Sequence, residues 1–125
     1  MVATHSLEFV LDCPDPQTLA RFYGRLLEGE VSQFHDHWFR VTLPGGAVLG
    51  FQEVEGYTPP DWPGQEIPQQ AHLDVYVDDL DESEAAALEL GATKHTHQPG
   101  ETFRVFLDPE FVKVDEATGS QAAGW

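Results

Sequence analysis

Residues 71–91 read AHLDVYVDDLDESEAAALELG, and this stretch decides the expected fold. Its first part alternates apolar and polar residues, a pattern that is typical of a strand with one buried face. The apolar set is Ala71, Leu73, Val75 and Val77, and the polar set is His72, Asp74 and Tyr76. An acidic N-cap at Asp79 or Asp81 then begins a helix that ends near Gly91. The stretch therefore predicts a strand that leads directly into a helix.

The same order of patterns occurs near the start of the chain. An alternating segment comes first, with Leu7, Phe9 and Leu11 on the apolar face and Glu8 and Asp12 on the polar face. Asp15 and Pro16 then supply an N-cap and a proline at the first helical position. Apolar residues recur at helical spacing up to Gly29, which is expected to end the helix. A second strand–helix pair is therefore predicted here.

Three strand-like segments follow each helix. They span residues 31–34, 37–43 and 47–53 in the first half, and residues 93–98, 102–107 and 111–115 in the second. The two halves align without a gap, which places Asp15 on Asp79 and Arg40 on Arg104. The chain is therefore predicted to be one α+β domain, residues 1–125, made of two βαβββ modules. The modules are expected at about 5–53 and 71–116, with a linker at 54–70 and a mobile tail at 117–125.

The composition limits the classes of partner. The chain has 22 acidic and 6 basic residues, which gives a formal net charge of −16. Nucleic acid and anionic membranes are disfavoured because their phosphates would be repelled. The single Cys13 cannot form an intrachain disulfide, no lysine or arginine precedes Arg21, and no apolar run approaches the ~18 residues of a membrane span. These features predict a cytoplasmic protein whose partner is a small molecule.

The duplicated unit resembles the vicinal oxygen chelate (VOC) superfamily, which includes glyoxalase I, bleomycin-resistance proteins, fosfomycin-resistance enzymes and extradiol dioxygenases. The resemblance rests on Asp15 with Phe22-Tyr23, on the segments 57–63 and 72–80, and on Gly91-Ala92-Thr93. It extends over residues 5–110 and is closest to the glyoxalase-like bacterial branch. It implies a curved mixed sheet with helices on its outer face, the glyoxalase/bleomycin resistance/dihydroxybiphenyl dioxygenase fold. It also implies a homodimer.

The resemblance further implies a divalent metal on the concave face of the sheet. Counting back seven residues from each capping aspartate gives Glu8 and His72 as the two first-strand ligands. Carboxylate and imidazole suit Zn²⁺, Mn²⁺, Ni²⁺ or Fe²⁺. The third ligand is expected from a last strand, where Gly50 has no side chain and the second half offers Asp115. Asp115 or the adjacent Glu116 is also the candidate catalytic base, and a metal-free pocket is the alternative.

Other polar and aromatic residues are candidates for the wall of the pocket. Arg40 and Arg104 occupy equivalent positions, so both are expected to hold a carboxylate or an enolate, or else to form cross-strand ion pairs. Tyr57 and Trp62 are expected to close over a flat ligand, or to fill the seam between the modules. The remaining candidates lie on the polar faces of strands and are Gln52, Asp74 and Tyr76.

Two functions of different classes follow from these residues. The first is a metal-dependent lyase or isomerase that stabilises an enediolate of a substrate with two vicinal oxygens. The second is a metal-free protein of the bleomycin-resistance type that binds or sequesters a cationic or aromatic molecule. The pairing of Glu8 with His72 favours the enzyme, whereas the strong negative charge and the doubtful third ligand favour the binding protein.

Overall fold

The structure, a computed structural model, describes residues 3–110 together with the backbone of residues 113–118. The chain forms two compact units whose boundary lies between Tyr57 and Thr58. Each unit contains one helix and four strands in βαβββ order. The predicted α+β class with two βαβββ modules is therefore confirmed.

The first unit begins with β1 (Glu8–Cys13) and α1 (Pro16–Leu26). It continues with β2 (Glu30–His35), β3 (Trp38–Thr42) and β4 (Val48–Glu53). The four strands form a mixed sheet in the order β1-β4-β3-β2. β1 runs parallel to β4, and the other neighbours are antiparallel.

The second unit repeats this arrangement with β5 (Leu73–Val77) and α2 (Leu80–Leu90). Its remaining strands are β6 (Thr93–Lys94), β7 (Phe103–Leu107) and β8 (Lys113–Thr118). The sheet order is β5-β8-β7-β6, and β5 is parallel to β8. The strand expected at 93–98 is thus only two residues long. The described part of the last strand takes in residues 117 and 118 of the predicted tail, whereas residues 111–112 and 119–125 lie outside the described part.

Both helices begin as the sequence predicts. The Asp15 carboxylate accepts hydrogen bonds from the backbone N–H and the hydroxyl of Thr18, at 3.2 and 2.6 Å. The Asp79 carboxylate accepts one from the backbone N–H of Glu82 at 3.0 Å. Each bond satisfies a donor at the start of a helix that would otherwise lack an intrahelical partner. Asp15 and Asp79, which the sequence alignment of the halves matches, are thus both N-caps, and this part of the duplication is confirmed.

Replacing Asp15 by alanine is expected to lower the free energy of unfolding by about 1 kcal/mol. The hydrogen bond from the Thr18 hydroxyl lowers the pKa of Asp15 below its ordinary value. Because the folded pKa is depressed, this stabilisation is present above the pKa of the unfolded chain, near ~4, and is lost as pH falls through the folded value. Urea unfolding of wild type and variant should therefore differ at pH 6 and converge at pH 2. Asp15→Asn, which keeps the cap, should lose little at pH 6; an equal loss would contradict the capping role.

The end of α1 differs from the sequence expectation. The helix stops at Leu26, and Glu28, not Gly29, adopts the left-handed conformation with φ 55°. Gly29 is needed for close packing instead, because a Cβ there would collide with the buried Val41 side chain. Gly24 has a similar role, since its missing Cβ leaves room for Val31 of β2.

Glu28→Gly is expected to raise the free energy of unfolding by about 1 kcal/mol. A side chain at positive φ is strained by roughly that amount, and glycine removes the strain. Thermal unfolding followed by circular dichroism measures the effect. The matched change Glu30→Gly, in strand β2, should destabilise, so a gain at both positions would refute the assignment of strain to Glu28.

The core of the first unit lies between α1 and the middle of its sheet. Tyr23 of α1 stacks on Phe51 of β4, with ring centroids 5.5 Å apart and ring planes 13° from parallel. The predicted burial of the apolar face of the first strand is wrong for Leu7, which precedes β1 and is 93% exposed, and for Phe9, which is 42% exposed. The cause is position: α1 packs mainly on β3 and β4, whereas β1 is an edge strand.

Candidate functional site

The face of the first sheet that points away from α1 carries an ion pair between β1 and β3, the two strands that flank β4. Phe39 lies opposite Phe51, which packs on the helix, so the adjacent Arg40 projects from the other face. There the Arg40 Nε–H donates to Glu8 Oε1 at 2.9 Å. The side chains of Arg40 and Glu8 are 33% and 22% exposed, so the pair is partly shielded from water.

Aromatic rings complete the surroundings of this guanidinium. The Arg40 Cζ atom lies 3.8 Å from the centre of the Phe34 ring, a cation–π contact. Trp38 meets Phe34 edge-on at 5.8 Å between centroids. Within the described part of the chain, the terminal Nη1 and Nη2 groups of Arg40 have no hydrogen-bond partner of their own. Glu8 therefore holds Arg40 at Nε and Phe34 contacts one face of the guanidinium, while no described residue engages the two terminal NH2 groups.

Glycine at position 50 is what allows Glu8 to lie against the sheet. Gly50 is the register partner of Arg40 in β4 and is buried. A Cβ built on Gly50 would collide with Glu8 Oε1 and would lie 3.0 Å from Trp38 Nε1. The Trp38 N–H is itself buried and has no hydrogen-bond partner among the described residues. The Glu8 carboxylate thus occupies the space that a side chain at position 50 would need.

An open cleft of about 340 Å³ lies beside the ion pair. Its wall is formed by Glu8 and Arg40, by the hydroxyl residues Ser32 and Thr42, and by Val48, among others. Both charged residues and three hydroxyl residues, Ser6, Ser32 and Thr42, therefore border one space that is large enough for a small organic molecule.

Arg104 is not the equivalent of Arg40, so this prediction is wrong. The backbone register of the first unit places Gln52 of β4 between Asp12 of β1 and Trp38 of β3. In the second unit it places Ala117 of β8 between Tyr76 of β5 and Phe103 of β7. The sequence alignment that matches the two helix caps also matches Asp12 with Tyr76. The same alignment matches Trp38 with Thr102, whereas the structural counterpart of Trp38 is the next residue, Phe103. Arg40 therefore has Val105 as its counterpart, and Arg104 instead faces α2.

The contacts of Arg104 show a structural role. Its Nη2 donates to Asp81 at 2.8 Å, and its Nη1 lies 3.6 Å from Glu84. The hydrogen bond to Asp81 raises the pKa of Arg104 above its ordinary value. Lys94 also pairs with Glu84 at 2.8 Å. Arg104 therefore belongs to an ion-pair network that joins α2 to its sheet.

The other predicted ligand, His72, lies just before β5. Its Nε2 is 3.7 Å from Asp74 Oδ1, and its Nδ1 is 3.5 Å from Gln69 Nε2. In the backbone register Asp74 is the partner of Asp115, and Glu116 follows on the same strand. The side chains of Asp115 and Glu116 lie outside the described part, so their predicted roles as ligand and base stay predictions.

The remaining predicted pocket residues lie on several elements of the two units. Gln52 lies beside Trp38 in the register of the first sheet, and Tyr57 is half-buried at the end of the first unit. Tyr76 is 50% exposed on β5. Trp62 contacts the rings of His95 and His97, with centroids 5.3 and 5.1 Å away.

A sequence model of the glyoxalase-like domain matches residues 8–112, which is most of the chain. The chain belongs to the glyoxalase-like domain family. It is thereby a member of the VOC superfamily, as the resemblance implied. No curated protein matches the sequence.

Several solved structures share the fold. A glyoxalase/bleomycin resistance protein/dioxygenase family enzyme from Burkholderia phytofirmans PsJN is 14% identical with a TM-score of 0.67, over 89% of this chain and 95% of that one. The fosfomycin resistance protein FosX from Mesorhizobium loti is 15% identical with a TM-score of 0.63, over 96% and 95%. The oxidase ChaP-H2 is 18% identical with a TM-score of 0.59, over 94% and 95%. Since the functions named are diverse, the family alone does not determine the chemistry.

The metal that the VOC superfamily implies can be tested against the residues present. Among the side chains that the structure describes, no three His, Cys, Asp or Glu residues come together in a way that could hold a metal ion. Glu8, the expected ligand of the first unit, already accepts from a guanidinium, which would repel a divalent cation placed at the same carboxylate. The described residues around Glu8 therefore do not fit a metal.

Two residues that surround Arg40 in this glyoxalase-like protein were missed by the sequence reasoning. Phe34 and Trp38 frame Arg40, and Trp38 has the same strand parity as Arg40. That parity was a usable signal, because residues i and i+2 share a face of a strand.

No helix in the part of the chain that the structure covers is long and apolar enough to span a membrane.

Proposed function

We propose that this glyoxalase-like protein binds a small molecule without a metal, through two adjacent oxygen atoms of the ligand that accept hydrogen bonds from Arg40. One observation carries the proposal: Glu8 occupies the Nε side of the guanidinium, and beside a cleft of about 340 Å³ none of the described residues pairs with Nη1 or Nη2. The guanidinium then supplies the positive charge at the place where the superfamily's metal is expected.

The geometry of a guanidinium suits this ligand class. Its donors form a planar fork, so Nη1 and Nη2 can donate two parallel hydrogen bonds to neighbouring oxygens. The contact with Phe34 restricts the rotation of the Arg40 side chain, which lowers the entropy lost on binding. Ser32 and Thr42 add hydroxyl groups in the same wall.

The net charge of the chain further limits the class of ligand that Arg40 can bind. At a formal −16, the protein repels ligands with several negative charges. Neutral or singly charged molecules with vicinal oxygens, such as a 1,2-diol, a catechol or a 2-hydroxy acid, fit both the fork and this charge.

Isothermal titration calorimetry in the presence of EDTA tests the proposal with positional isomers. Catechol should bind at least tenfold more tightly than resorcinol, and lactate more tightly than 3-hydroxypropionate, because only vicinal oxygens reach both donors. Arg40→Lys should weaken catechol about tenfold, or ~1.4 kcal/mol, since an ammonium has no planar fork.

The control is Arg104→Lys, a change of the same type at the arginine that pairs with α2. It should leave catechol binding unchanged. Binding that needs added Zn²⁺, Mn²⁺, Ni²⁺ or Fe²⁺ and is insensitive to Arg40→Lys would refute the proposal and favour the metal-dependent lyase or isomerase. The expected homodimer and cytoplasmic location stay predictions; sedimentation velocity measures the first.

A further inference from the structure

A second cavity, with a volume of about 210 Å³, lies within the second unit. One part of its wall comes from the proline-rich segment, at Pro59, Pro60, Asp61 and Trp62. Another part comes from His95, which directly follows β6, and from Leu107, the last residue of β7. The backbone N–H of Asp61 donates to the carbonyl of Ile67 at 2.7 Å, which closes this segment into an ordered loop.

Hydrogen bonds on both ring nitrogens fix the His95 side chain of the wall. The carbonyl of Trp62 can only accept, so His95 Nε2 donates to it, at 3.1 Å. His95 Nδ1 accepts from the backbone N–H of His97 at 2.8 Å. This pattern requires the neutral imidazole with its proton on Nε2. His95 therefore contributes an uncharged aromatic surface, which meets the Trp62 indole edge-on at 5.3 Å.

The wall of this cavity favours a cation. Among the residues that the structure describes, the wall includes the carboxylate residue Asp61 and no lysine or arginine. The wall also includes the indole of Trp62, and the faces of indole rings attract cations. The high negative charge of the whole chain adds to the attraction.

We propose that this cavity binds a small planar cation of the aromatic amidine or guanidinium class, with its ring against Trp62 and His95 and its charge near Asp61. The volume fits a molecule with one six-membered ring. The proposal goes beyond the vicinal-oxygen site at Arg40 and does not depend on it.

Benzamidine is the probe, and its neutral isostere benzamide is the matched ligand. In calorimetry at pH 7.5 benzamidine should bind saturably and at least tenfold more tightly than benzamide. Asp61→Asn should weaken benzamidine at least threefold, whereas Asp36→Asn, at an exposed acid of the first unit, should have no effect. Trp62→Leu should abolish benzamidine binding, with circular dichroism checking that the variant is folded.

The outcomes separate the two sites. Arg40→Lys should leave benzamidine binding unchanged, so failure of one site does not imply failure of the other. Equal affinities for benzamidine and benzamide, insensitivity to both Asp61→Asn and Trp62→Leu, or the absence of saturable binding at millimolar benzamidine would each overturn the proposal.

Discussion

Replacing Phe51 by alanine will lower the free energy of unfolding by about 3–5 kcal/mol, the largest effect that we expect from a single substitution in this protein. Phe51 is completely buried on β4, stacks on Tyr23 of α1, and lies opposite Phe39 in the sheet. Removing its ring leaves a cavity between helix and sheet, and the stacking contact is lost as well. Urea unfolding, followed by circular dichroism and tryptophan fluorescence, measures the change.

The matched control is Phe9→Ala on the neighbouring strand β1. Phe9 is 42% exposed, so its truncation removes less buried surface and should cost less than ~1 kcal/mol. Phe51→Leu, which keeps most of the volume, should fall between the two. Similar losses for Phe51→Ala and Phe9→Ala would mean that the helix–sheet contact is not the main source of stability in the first unit.

The element order could be predicted because its signals are local. Asp15 and Asp79 each cap a helix through a residue three positions later, and such a contact is set by spacing along the chain. The alternation before each cap is equally local. Agreement of these two signals in both halves was sufficient for the fold class.

The register of the strands could not be predicted from the sequence, because it depends on how many residues connect one strand to the next. The two helix caps and the strands before them share one alignment of the halves, but β7 and β8 are shifted from it by one further residue. A slip of one residue turns every side chain of a strand to the other face. This is why Arg104 faces α2 whereas Arg40 faces away from α1.

The sequence predicted individual residues of the candidate site but not the contacts between them. Glu8 and Arg40 were both candidates, but their hydrogen bond joins residues 32 positions apart, across strands whose register the sequence does not state. The pairing changes the interpretation of both residues. Glu8 holds a guanidinium, and Arg40 has only its terminal donors left for a ligand.

Gly50→Ala will destabilise the protein by about 1 kcal/mol, because the new Cβ overlaps the Glu8 carboxylate and lies 3.0 Å from the buried Trp38 Nε1. Glycine is ordinarily unfavourable within a strand, so alanine at this position would stabilise the chain if the space were empty. Glu8 can avoid the overlap only by moving, and the movement breaks its hydrogen bond to Arg40. Gly50→Ala is therefore also expected to weaken catechol binding.

A double-mutant cycle isolates this cause. In the Glu8→Ala background the overlap with the carboxylate is removed and the close contact of the Cβ with Trp38 Nε1, at 3.0 Å, remains, so Gly50→Ala should cost less than half of what it costs in the wild type. Gly45→Ala, in a turn where a Cβ meets nothing, is the control and should change the free energy of unfolding by less than ~0.5 kcal/mol. Equal costs of Gly50→Ala in the two backgrounds would show that Glu8 does not lie over Gly50. Coupling between positions 8 and 50 would instead mean that the absence of a side chain at Gly50 leaves room for the Glu8 carboxylate. Glu8 in turn positions the Arg40 guanidinium beside the cleft.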